Sequence, residues 1–190
     1  MHFTLAPGIY VIGGKLLTDP SDGMVLLIEL DEGSSILVGC GSGNRIDALL
    51  RNIVELGMSL STIKYIVIPL VDPSIVNGCR ALIEILRPKH VVAPPTIAKA
   101  IYQGIGVEPA PISLLSDNIT MGRSSLKVVS IASDTAILEV TRVTSRITIV
   151  LTRATSLKHL DQIRERLRSL SQTVCRLCLY DECMCKTIQV

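Results

Sequence analysis

The chain has 190 residues, of which 48% are hydrophobic and 19% are charged, and its formal net charge is +2. This composition excludes a disordered protein, and the small net charge gives no argument for nucleic-acid binding by itself. The length suffices for one domain with a buried core, and no run approaches the ~18 apolar residues that span a membrane. The N-terminus lacks a basic stretch followed by an apolar one, so we expect a cytoplasmic protein with no membrane partner.

Turn residues and short apolar runs alternate in the first quarter of the chain and predict three strands. An amphipathic helix follows, with Asn44 as its expected N-cap and Gly57 as its C-terminal stop. The predicted strands cover 8–13, 24–30, 35–38, 65–68, 90–93, 118–121, 126–131, 136–143 and 146–152, and the predicted helices cover 44–56, 74–86, 95–103 and a last segment from Thr155 or Ser156. This order predicts an α/β or α+β protein with two sheets.

One stretch, Lys64–Arg80, joins a strand directly to a helix through a short loop that begins at Pro69. Such strand ends are where α/β proteins place their chemistry. We therefore take this loop and its surroundings as the candidate site.

Three motifs, in their order and spacing, resemble the metallo-β-lactamase superfamily over about residues 6–170. Gly8–Gly13 resembles the family's opening strand, and Ile36–Gly43 resembles its L-I-D-T-G-x-G turn. Ile66–Gly78 resembles the metal-binding signature I-x-L-T-H-x-H-x-D-H-x-G-G in position and in its closing glycine. The resemblance implies a four-layer αββα sandwich with mixed sheets over residues 1–170, followed by a separate tail, 171–190.

The resemblance also implies where metal ligands would lie, and most of those residue types are missing. The two histidines of H-x-H correspond to Leu70 and Asp72, the aspartate to Ser74 and the last histidine to Ile75. The family's later histidine falls near Asp134, and its bridging aspartate falls near Arg153.

A dinuclear zinc or iron site needs imidazoles and carboxylates that converge at about 2.0–2.2 Å. Leu70 and Ile75 cannot ligate a metal, and the charge of Arg153 opposes a cation, so we expect the family's water-activating hydrolysis to be absent. Asp72 and Asp134 could pair with Arg153 or bind a lone cation, and the simplest role for Asp72 is to cap the following helix.

Cysteines occur in two groups. Cys40 and Cys79 fall near the rim of the vestigial pocket, either as buried free thiols or as a disulfide. This pocket comprises the positions matched above to the family's metal ligands, Leu70, Asp72, Ser74, Ile75, Asp134 and Arg153. The other group lies within eleven residues and comprises Cys175, Cys178, Cys183 and Cys185. Four thiolates suit tetrahedral zinc, and an iron–sulfur cluster accepts the same ligands. The alternative is that these cysteines form two disulfides or remain free thiols. Without a bound metal or disulfides we expect the tail to fray.

The function that these features favour is a non-catalytic binding or structural module with a zinc-stapled tail. Its expected partner is another protein, a second copy of the chain or a ribonucleoprotein. RNA or an acidic partner could contact the basic side of the last helix and tail, unless that side is only solvated; its residues are Arg164, Arg166, Arg168 and Arg176. The alternatives are a hydrolase remodelled around Asp72, Asp134 and Arg153, and an iron–sulfur redox protein that uses the tail.

Overall fold

A computed structural model describes residues 1–30, 33–103, 112–113, 118–132, 135–143, 145–153, 174–179 and 184–188. Within these residues the chain forms thirteen β-strands and three α-helices. The strands are β1 (Phe3–Ala6), β2 (Ile9–Gly13), β3 (Val25–Glu29), β4 (Ser35–Val38), β5 (Ile63–Val67), β6 (His90–Val92), β7 (Ile112–Ser113), β8 (Asn118–Met121), β9 (Ser124–Ala132), β10 (Thr135–Arg142), β11 (Ser145–Thr152), β12 (Val174–Leu179) and β13 (Met184–Ile188), and the helices are α1 (Ile46–Glu55), α2 (Val76–Leu86) and α3 (Pro95–Tyr102). No helix in this described part is both long and apolar enough to cross a membrane.

The first sheet contains seven strands in chain order, β1 to β7. The pairs from β1 to β4 are antiparallel, as expected for strands joined by turns. The pairs from β4 to β7 are parallel, and each of the three crossovers contains one of the helices α1, α2 and α3. A parallel pair needs such a crossover because the chain must return to the same end of the sheet.

The second sheet contains six strands in the order β13-β12-β11-β10-β9-β8. All neighbouring pairs are antiparallel except β11 and β12, which are parallel. The segment 171–190, expected as a separate tail, therefore contributes two strands to this sheet. The segment between β11 and β12, where the last helix is predicted, lies outside the described residues.

Buried apolar residues form two cores, one on each face of the first sheet. Strand β3 shows why both form: Leu26 and Ile28 pack between the two sheets, whereas Val25 and Leu27 pack against the helices. Successive side chains of a strand point to opposite faces, so a strand that is buried on both faces needs an unbroken apolar run. The result is two mixed sheets packed face to face, with helices over the outer face of the first.

Within the described residues, the nine predicted strands and the first three predicted helices are confirmed with small shifts at their ends, but other details differ. Strands β1, β7, β12 and β13 were not predicted; β1 is a short edge strand that pairs with β2. The expected N-cap Asn44 is wrong, because α1 begins at Ile46 with Arg45 as its N-cap and no side-chain capping bond. The amide of Asn44 instead donates to the hydroxyl of Ser21, 3.1 Å away, in a neighbouring loop.

Candidate functional site

The loop after β5 leads through a 3₁₀ turn, Pro73–Ile75, into α2. Asp72 is the N-cap of this turn, and its Oδ1 accepts hydrogen bonds from the backbone N–H of Ser74 at 3.0 Å and from the Ser74 hydroxyl at 2.6 Å. Asp72 thus satisfies a backbone donor that the start of a helix leaves without an intrahelical partner.

The same carboxylate also faces a cation from the second sheet. Nη1 of Arg153 lies 3.5 Å from Oδ1 of Asp72, and the side chain of Asp72 is 5% exposed while that of Arg153 is 35% exposed. Arg153 directly follows the last residue of β11, and Asp72 follows β5, so the ion pair joins the carboxyl ends of strands from both sheets. The structure thus combines two of the roles expected for Asp72, capping and pairing with Arg153. Asp134 lies outside the described residues.

Apolar side chains occupy two of the expected histidine positions. Leu70 is 2% exposed and belongs to the core between the sheets, and Ile75 is 1% exposed and belongs to the core beneath the helices. Of the four signature positions, 70, 72, 74 and 75, only position 72 carries a strong metal donor. The Oδ1 atom of Asp72 already faces three donor groups, two from Ser74 and one from Arg153. In the described part of the chain, no group of three or more His, Cys, Asp or Glu side chains could hold a metal ion. The described residues at these four positions therefore do not supply the donor set of a dinuclear metal site.

The glycine-rich loop after β4 packs against the N-terminal part of α2. A Cβ atom at Gly78 would collide with the carbonyl oxygens of Gly41 and Cys40, so only glycine allows this approach without a shift of the backbone. A disulfide joins Cys40 to Cys79, with 5.0 Å between their Cα atoms, and both residues are fully buried. Of the two alternatives expected for these cysteines, the structure thus contains the disulfide.

A buried carboxylate that the sequence reasoning missed holds this loop from the other side. Asp22 is 6% exposed, and its Oδ1 accepts from the backbone N–H and the hydroxyl of Ser42 at 2.6 and 2.5 Å. Its Oδ2 accepts from the hydroxyl of Thr18 at 2.5 Å. The residues around Asp22 are typical of a turn, and no local pattern indicates that one carboxylate reaches Ser42. Only its position, directly before a buried strand, could have suggested burial.

The carboxylate of Asp19 lies in the same polar loop as Asp22 but is exposed. The hydroxyl and the backbone N–H of Ser21 both donate to it, the latter at 2.9 Å. These bonds favour the charged form and hold the pKa of the Asp19 carboxyl below its usual value.

Three of the four tail cysteines lie on two paired strands. Cys175 and Cys178 belong to β12 and Cys185 belongs to β13, where Cys178 is the direct partner of Cys185 and Cys175 is the partner of Ile188. Because residues alternate between the faces of a strand, positions 175 and 178 fall on opposite faces. Cys183 lies outside the described residues, and so do three of the four basic residues noted above, Arg164, Arg166 and Arg168.

No family model matches the sequence, and no curated protein matches it. Solved structures do resemble the fold. One is a metallo-β-lactamase of Cronobacter sakazakii with an HARLDQ motif, which is 16% identical in sequence. The superposition covers 93% of this chain and 79% of that protein, with a TM-score of 0.67. BJP-1, a subclass B3 metallo-β-lactamase of Bradyrhizobium japonicum, is 15% identical, with 93% and 75% covered and a TM-score of 0.63.

A third similar structure is the metallo-β-lactamase GOB-18 of Elizabethkingia meningoseptica, which is 16% identical and covers 88% of this chain and 68% of its own, with a TM-score of 0.58. At these identities the likeness concerns the arrangement of the two sheets and their helices. The chain therefore has the metallo-β-lactamase fold.

Proposed function

We propose that this chain is a non-catalytic binding or structural module that acts through contacts with a protein partner or a second copy of itself. The observation that carries this proposal is the ion pair between Asp72 and Arg153. It lies where the resemblance puts the second histidine and the bridging aspartate of a metal site.

The guanidinium supplies the positive charge that a metal would otherwise bring to this carboxylate. Arginine stays protonated at all ordinary pH values, so Arg153 is a permanent cation beside Asp72. A metal ion at Asp72 would have to displace Arg153 and then meet its charge at close range. In this arrangement the guanidinium of Arg153 takes the place of an exchangeable metal cation beside the carboxylate of Asp72.

The neighbouring residues also support a non-catalytic role, because their side chains pack in the hydrophobic cores. Leu70 and Ile75 are buried in the two cores, and a histidine at either position would have to enter an apolar environment. The Cronobacter structure is named for an HARLDQ motif, which contains a histidine and an aspartate. In the segment Leu70–Ile75 this chain has no histidine, and its one aspartate is held by Arg153 and Ser74.

The structures with this fold named above are metallo-β-lactamases, so a remodelled hydrolase is the competing function. A hydrolase of this kind would use the carboxylate of Asp72, since a positioned carboxylate is one of the groups that can act in acid–base chemistry. The two functions differ in turnover, which can be measured on the full chain.

The test is a hydrolysis assay of the purified full chain with chromogenic β-lactam, phosphodiester and thioester substrates, with and without added zinc. The variants are Arg153→Ala and, as a matched control near the start of the preceding strand β11, the exposed Arg146→Ala. We expect no turnover by any of the three proteins. Turnover by the parent chain that Arg153→Ala abolishes and Arg146→Ala preserves would overturn the proposal.

Binding is tested separately. Sedimentation equilibrium over a wide range of protein concentrations measures association with a second copy. Titration with single-stranded RNA at two salt concentrations measures RNA binding, which should weaken at higher salt if phosphate contacts drive it. Protein partners are sought by affinity capture with the purified full chain, followed by a direct binding measurement for each captured candidate. A chain that stays monomeric and binds none of these candidates would contradict the binding role.

A further inference from the structure

The backbone register of β12 and β13 places two of the tail cysteines directly opposite each other. Cys178 pairs with Cys185, flanked by the pairs Leu177 with Lys186 and Leu179 with Met184. In antiparallel strands, directly opposed residues have Cα atoms about 5.5 Å apart in a hydrogen-bonded pair and about 4.5 Å apart otherwise. A disulfide needs Cα atoms about 4.4–6.8 Å apart, so either kind of pair is within its range.

The same register separates Cys175 from this pair. Cys175 lies three residues before Cys178 in one regular strand, so the two positions fall on opposite faces of the sheet. A single tetrahedral site needs all four thiolates around one metal ion. Four-cysteine ligation of zinc or of an iron–sulfur cluster would require β12 to depart from the strand geometry that pairs it with both β11 and β13.

An independent observation comes from the other pair of cysteines. Cys40 and Cys79 form a disulfide in a different part of the fold, with a Cα separation of 5.0 Å that lies in the same range. Disulfides persist in oxidising compartments and in the cytosol of some hyperthermophiles. A chain in which one cysteine pair is oxidised meets conditions under which a second, well-positioned pair can also be oxidised.

We infer that Cys178 and Cys185 form a cross-strand disulfide that closes the β12–β13 hairpin, with Cys175 outside the pair. The two thiols lose two protons and two electrons as the S–S bond forms, and a disulfide of another protein or of a small molecule takes up both and is reduced to two thiols. The bond ties β13, which lies at the end of the second sheet, to β12. The hairpin is then held without a metal, and this inference stands apart from the proposed binding role.

The test is sequential thiol labelling of the full chain. Cells are lysed directly into denaturant that contains a chelator and iodoacetamide, so that every free or metal-bound thiol is alkylated before air can oxidise it. The disulfides are then reduced and labelled with N-ethylmaleimide, and trypsin is added. Cleavage after Arg168, Arg176 and Lys186 puts Cys175 on one peptide and the other three tail cysteines on the next. Fragmentation by tandem mass spectrometry then assigns a label to each cysteine.

We expect the second label on Cys178 and Cys185, and also on Cys40 and Cys79, with the first label on Cys175. The variant Cys185→Ser should move Cys178 to the first label, whereas the control Cys183→Ser should leave the labels of Cys178 and Cys185 unchanged. The first label on all tail cysteines of the parent chain would overturn the inference, and zinc or iron that co-purifies would then indicate a metal site. The second label on Cys183 in place of either proposed partner would also overturn it. Neither result would affect the hydrolysis assay, so failure of this inference is distinguishable from failure of the proposed function.

Discussion

Removal of the charge at either end of the pair between Asp72 and Arg153 should reveal a measurable coupling between the two residues. Asp72→Asn is suited to the purpose because asparagine keeps the oxygen that accepts from Ser74 and so keeps the helix cap. Arg153→Met keeps much of the length of the side chain and removes its charge. The two single variants and the double variant complete a double-mutant cycle, which isolates the pairwise interaction from other contacts of either residue.

The expected magnitude follows from the geometry. Two unit charges 3.5 Å apart attract by about 5 kcal/mol at an effective dielectric constant of about 20. Because the Arg153 side chain is 35% exposed, solvent screening and the cost of ordering that side chain reduce the net coupling, and fully exposed pairs give about 0–1 kcal/mol. With Asp72 buried and its partner half-buried, we expect a coupling of about 1–3 kcal/mol.

The assay is urea unfolding followed by far-UV circular dichroism at low and high salt, with the free energy of unfolding extrapolated to water for all four proteins. The control is Arg146→Met, a charge removal near the start of β11 that should change the free energy of unfolding by less than about 0.5 kcal/mol. A coupling below about 0.3 kcal/mol, within the error of additivity for independent sites, would refute the reasoning. The carboxylate would then not depend on the guanidinium, and the argument that Arg153 replaces a metal would fail.

Three further predictions concern the loops around the site. Because the disulfide closes a loop over a sequence separation of 39, Cys40→Ala with Cys79→Ala should lower the free energy of unfolding by about 4 kcal/mol; an unchanged urea midpoint would contradict this. Gly78→Ala should cost about 1–3 kcal/mol by overpacking and lower the melting temperature, whereas an equally stable variant would disprove the close approach of the loop to α2. The pKa of the Asp19 carboxyl is below its usual value of 3.8, so its contribution to stability is present above that pH and is lost as the pH falls through the lower folded-state pKa. An NMR titration of Asp19 that gives a pKa at or above 3.8 would contradict this.

Local patterns predicted most of the described strands and helices of this fold because burial leaves a periodic hydrophobic pattern in the sequence. The unbroken apolar run of β3 indicates a strand that is covered on both faces, and the structure has a core on each side of it. The inability of Leu70 and Ile75 to bind a metal is likewise a property of the sequence alone, because an aliphatic side chain offers no lone pair to a metal in any fold.

The contacts that define the site were decided by the tertiary structure. Arg153 meets Asp72 only because the two sheets bring the carboxyl ends of β11 and β5 together, and Cys40 meets Cys79 only because a glycine at position 78 lets the loop approach α2. No periodic pattern records a contact between side chains far apart in the chain.

The tail shows the same division between sequence and structure. The spacing of its cysteines predicts metal ligation as long as every cysteine is free to face one common metal ion. Pairing of β12 with β11 and β13 places Cys175 and Cys178 on opposite faces and Cys178 opposite Cys185. Spacing along the chain states which ligands are available, and strand register, which depends on the partner strand, states which of them can meet.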